Sequence, residues 1–109
     1  MWIVTRLKIG KDVPFFSVGP MTLLQNIETH LSINKATKAM GMSYTKALRI
    51  IRTMEQELGF PVVISEKGGS DHGMTQLTEK GKQVLVAFQS IHADVSAYAE
   101  KLLEERFNF

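Results

Sequence analysis

Apolar positions along the 109-residue chain repeat every second residue, then at helical spacing, then every second residue again, and finally at a heptad spacing. Residues 2–9 alternate, with Ile3, Leu7 and Ile9 on one side and Arg6 and Lys8 on the other, which predicts a half-buried strand. Gly10-Lys11-Asp12 is a turn signal, and residues 13–17 return as a short second strand that Pro14 restricts to an edge. A first helix is expected from Pro20, with Leu23, Leu24, Ile27 and Leu31 on one stripe. Ser32 caps a second helix whose inner face is Ala36, Ala39 and Met40, and Gly41 ends it. Ser43 caps a third helix over residues 43–58, with Ala47, Ile50, Ile51, Met54 and Leu58 inward.

Beyond the third helix, Gly59 and Pro61 punctuate the chain, and residues 62–65 form a β-branched run. A glycine-rich loop over residues 66–73 leads to a partner strand at residues 74–77. Two strands around such a loop, directly after the third helix, make a wing. Thr78 then caps a final helix that runs to Arg106. Its seam is Val84, Phe88, Ile91, Val95, Tyr98 and Leu102, stepping 4, 3, 4, 3, 4. A helix of roughly 28 residues is about 42 Å long, so it overhangs a body this small and needs a partner along part of its seam. The fold class is therefore mainly α with a small β component (α+β). It is a winged helix-turn-helix in one domain over residues 1–109, divided into 1–77 and the dimerisation helix 78–106.

Charge sharpens this picture. Between Ser32 and Thr53 the chain holds Lys35, Lys38, Lys46, Arg49 and Arg52 and no acidic residue. Residues 1–53 carry eight Lys/Arg against two acids, a balance of +6, and residues 54–109 carry five against nine, a balance of −4. At about 100° per residue, Thr45, Arg49, Arg52 and Gln56 point away from the third helix's apolar stripe, with Lys46 and Thr53 beside them. Tyr44 falls nearer the core, with its ring part-packed. A short helix, a tight glycine turn and a second helix with a cationic outer face is the layout of a helix-turn-helix DNA reader. Arginine pairs with guanine edges at two points and lysine serves phosphates, so Lys46, Arg49 and Arg52 are the principal contact candidates. Ser43, Tyr44 and Thr45 add hydroxyl or backbone contacts, Lys35 and Lys38 face the backbone, and Lys67, Gly68 and Gly69 form the wing tip.

Little supports other chemistry. There is no cysteine, and His30, His72 and His92 stand far apart as surface residues, so no metal site is expected. No apolar run is long enough to span a bilayer, and the N-terminus lacks the pattern of a signal peptide, which points to the cytoplasm. Phosphate-binding glycine motifs and nucleophile elbows are lacking, which argues against an enzyme.

The opening strand pair, Ser32-Ile33, Gly41-Met42-Ser43-Tyr44 with Ala47, Lys67-Gly68-Gly69, and Leu77-Thr78-Glu79-Lys80-Gly81 together resemble the N-terminal DNA-binding domain of the molybdate-responsive regulators, the ModE family. That domain is a winged helix-turn-helix close to the LysR type. The resemblance implies a recognition helix in the major groove, a wing on the flanking backbone, and long helices of two subunits paired into a homodimer. Full family members also carry C-terminal oxyanion-binding domains. Residues 1–109 offer no counterpart, so neither a molybdate-binding domain nor any cofactor is expected. The reading is a homodimeric, sequence-specific, double-stranded DNA-binding regulator of transcription. Its rivals are a winged-helix protein-docking module and an architectural or RNA-binding protein.

Overall fold

The computed structural model describes residues 1–66 and 73–109. Among the described residues there are four helices and two antiparallel strand pairs. In chain order they are β1 (Ile9–Gly10), β2 (Pro14–Phe16), α1 (Val18–His30), α2 (Ile33–Met40), α3 (Tyr44–Leu58), β3 (Val63–Glu66), β4 (Met74–Leu77) and α4 (Glu79–Arg106). This is the α+β winged helix-turn-helix that the periodicities predict, with the long helix at its end. No described helix is long and apolar enough to cross a membrane.

The helix starts follow local chemistry. Ser32, Ser43 and Thr78 each accept a hydrogen bond from the backbone N–H three residues on, satisfying a donor that the first helical turn leaves free. Gly41 closes α2 at φ 65°, a left-handed conformation that glycine adopts without a Cβ clash. α1 starts two residues before Pro20, with Ser17 as its N-cap. Pro20 still lies in the first turn, where its missing N–H costs nothing.

One core joins the elements. Leu23, Leu24 and Ile27 of α1, Ala36 of α2, Ala47 and Met54 of α3, and Phe16 and Phe88 are buried. The Phe16 and Phe88 rings meet at 4.9 Å between centroids and 58°, a tilted aromatic pair that ties β2 to α4. Gly81 sets the crossing at the start of α4. A Cβ built there would stand 2.1 Å from the Val62 carbonyl oxygen, so only glycine permits this approach. Thr78 fastens the same corner, donating its hydroxyl to Pro61 O at 2.8 Å and its N–H to Val62 O at 2.9 Å.

Several expectations are corrected. Residues 2–8 form no strand; only Ile9–Gly10 pairs with β2, across an irregular register. The segment lies instead along α4, where Thr5 Oγ1 and Ser96 Oγ are 2.9 Å apart. Thr5 and Leu7 are half-buried, but Ile3 and Ile9, expected on the inner side, are exposed. The segment's cover is a helix, which offers no strand edge for a ladder. Leu31 does not continue the α1 stripe. It caps the helix at φ 55° and is 41% exposed. Its carbonyl accepts Thr75 N–H at 3.0 Å, which ties the end of α1 to β4 and holds this unfavourable leucine conformation. On α2 the buried residues are Ile33, Ala36 and Thr37, while Ala39 is exposed and Met40 half-buried. The β3–β4 pair occupies Val63–Glu66 against Met74–Leu77, one residue later on the first strand than expected.

Candidate nucleic-acid interface

The third helix presents two faces of opposite character. Ala47, Ile51 and Met54 are buried against α1 and α2, while Thr45, Lys46, Arg49, Arg52 and Gln56 are exposed. The 3.6-residue period alone separates them. Tyr44, expected nearer the core, is 49% exposed at the start of the helix. Ser43 is exposed and its hydroxyl accepts Lys46 N–H at 3.1 Å, fixing the first turn of α3. Lys35 and Lys38 are exposed on α2. Lys67, Gly68 and Gly69 lie outside the described residues.

What holds α3 in place was not legible in the pattern. Glu57 and Glu55 stand two residues apart, so they diverge by about 200° around the helix. Glu57 is buried, and its Oε1 accepts the Asp12 and Val13 N–H groups at 2.8 and 2.7 Å. Glu55 Oε2 accepts Val62 N–H at 2.8 Å and Val63 N–H at 3.4 Å. One carboxylate therefore fastens the β1–β2 hairpin to one flank of α3, and the other fastens the base of β3 to the opposite flank. The outer face with Arg49 lies between them. The one clue in the sequence was two acids on a helix whose outer face is otherwise basic.

The expected seam of α4 divides between two environments. Phe88 is 1% exposed and belongs to the protomer's own core, with Val84 packed at the edge of that core. Ile91, Val95 and Tyr98 are 48%, 38% and 60% exposed, and Leu102 is half-buried. Residues 92, 96, 99 and 103 continue the covered side beneath the N-terminal segment. His92 is thus half-buried, its ring 6.0 Å from that of Phe88, and His30 is exposed. His72 is outside the described residues.

A capped helix pair around a left-handed glycine, an exposed cationic face on the second helix, and an antiparallel strand pair after it define a winged helix-turn-helix protein, the fold class of many DNA-binding regulators. The sequence pattern of the bacterial regulatory helix-turn-helix proteins of the lysR family matches residues 20–82, from α1 through the start of α4, and the chain belongs to that family. It is 34% identical over 106 residues to the Molybdenum transport protein ModE of Azotobacter vinelandii, covering 96% of this chain and 39% of that protein. It is 33% identical over 76 residues to the Molybdenum-pterin-binding protein MopB of Rhodobacter capsulatus, covering 70% of this chain and 28% of that protein. The matched regions thus span about two-fifths or less of these relatives. The helix-turn-helix region is ModE-like, and the family is one of DNA-binding regulators rather than enzymes.

Proposed function

We propose that the protein binds specific double-stranded DNA sites as a homodimer, placing α3 of each subunit in a major groove. The observation that carries this reading is the outer face of α3. Thr45, Lys46, Arg49 and Arg52 are all exposed, opposite a stripe in which Ala47, Ile51 and Met54 are buried and Ile50 and Leu58 half-buried. Ser43, Tyr44 and Thr45 would meet the groove first, at the capped end of the helix. Lys35 and Lys38 of α2 would neutralise phosphates, and so would Lys67 from the wing, where Gly68 and Gly69 allow a close backbone approach. Pairing of α4 would cover Ile91, Val95, Tyr98 and Leu102, with Val84 at the near end. The molecule measures 63 × 28 × 22 Å, so much of α4 overhangs the body, in keeping with such a role. Paired helices fix the spacing of the two readers and require half-sites related by a two-fold axis. Regulation of this kind places the protein in the cytoplasm.

Arg49→Ala tests the placement of α3. Binding to a selected duplex in a salt-controlled shift assay should weaken about tenfold, within the range for one base-contacting arginine. The unfolding midpoint should stay as in the wild type. Unchanged binding would falsify the placement.

A further inference from the structure

The site as read so far has one flanking contact, the wing after α3. The structure supplies a second candidate on the other side. Lys8, Ser17, Arg49 and Thr53 line one shallow groove of about 230 Å³, floored by Phe15, Phe16 and Ile50. Its polar lining is two cations and two hydroxyl side chains, and no carboxylate lines it. Lys8 is exposed and comes from the residue before β1, far from the helix pair in sequence. It shares this groove with Arg49, and Glu57 fastens the β1–β2 turn to α3 through the Asp12 and Val13 N–H groups. Glu55 holds the base of β3 on the opposite flank. The outer face of α3 is therefore bracketed by a hairpin on each side.

We propose that the β1–β2 hairpin is a second DNA-contacting flank, with Lys8 binding a backbone phosphate beside the contact made by Arg49. The inference rests on α3 facing DNA and adds a residue and an element that the helix-turn-helix pattern does not assign. The chemistry fits a phosphate rather than a base. An ammonium group is a compact point charge on a flexible stem, suited to a phosphate oxygen and carrying no bidentate base code. The apolar floor beneath it is a low-dielectric wall, which strengthens attraction for an anion placed above. Lys11 lies in the turn next to Asp12, which offsets its charge, so Lys8 is the cation the hairpin presents to the groove.

The test uses the full chain and a labelled random-sequence 25-base-pair duplex, with anisotropy read across a salt series. One phosphate contact contributes about one unit to the slope of log K against log salt. Lys8→Ala should lower that slope by about one unit and weaken binding several-fold at low salt, and Lys8→Arg should restore it. Lys101→Ala removes the same charge from the far part of α4 and should leave the slope as in the wild type. A wild-type slope for Lys8→Ala, beside weakened binding for Arg49→Ala, overturns the second flank and leaves the DNA reading intact. Equal losses for Lys8→Ala and Lys101→Ala also overturn it, because they would reflect net charge alone. Wild-type binding by both Lys8→Ala and Arg49→Ala, to this duplex and to a selected one, would overturn the placement of α3 and the second flank with it.

Discussion

The outer face of α3 and the distal half of α4 are both exposed, and they are exposed for opposite reasons. α3 turns its apolar side to the core, is fastened on both flanks by Glu55 and Glu57, and leaves cations and hydroxyls outward. That face is comfortable in water, and in the proposed reading a polyanion lies against it. Among the described residues, α4 beyond Phe88 is covered along one side by the N-terminal segment and the start of α1, and leaves Ile91, Val95 and Tyr98 outward. Apolar side chains on an extended arm are completed by burial against another surface. One helix thus presents charge and the other presents apolar area, and in the proposed dimer the first serves recognition and the second assembly. Neither face can take over the other's task.

The comparison is most exposed to failure at Phe88 and Ile91, which share one heptad seam. Phe88→Ala should cost about 4 kcal/mol of folding stability, measured by denaturant unfolding, because it empties the core beside Phe16. That loss should not depend on protein concentration. Ile91→Asp should leave the protomer folded yet weaken dimerisation by about 3 kcal/mol, since an unpaired carboxylate would be buried in the seam. Analytical sedimentation would then show monomers at concentrations where the wild type pairs. A dimer that persists would mean that the apolar face of α4 has another use. Removal of one flank anchor is the next test. Glu57→Ala strands two backbone N–H groups and should cost about 2 kcal/mol. It should also loosen the β1–β2 hairpin, read as faster amide exchange at Asp12 and Val13. The smallest effect should come from Ser43→Ala, which removes the α3 cap for about 1 kcal/mol in a thermal melt.

Much of the frame was legible because it rests on interactions within a few residues. Ser32, Ser43 and Thr78 cap as expected, since each bond spans three positions of the chain. Gly41 takes its left-handed conformation in the expected place, and the two faces of α3 follow from helical period. The misreadings occur where distant parts of the chain decide. Residues 2–8 alternate like a strand, but the surface beside them is α4, 91 residues away at the Thr5–Ser96 contact. Leu31 looked like one more rung of an apolar stripe, until β4 took its carbonyl and turned the chain there. Phe88 fitted the heptad, yet it points into the core because β2 places Phe16 opposite it.

The sequence by itself determined the helix-turn-helix, its caps, its glycine turn and the cationic side of α3, because these depend on local hydrogen bonds and on a fixed angular step per residue. Tertiary structure alone decided which α4 residues stay outside the core and which carboxylates clamp α3. It alone brought Lys8 and Arg49 to one groove, because packing and charge pairing act through space, and spacing along the chain does not encode which distant surfaces will meet.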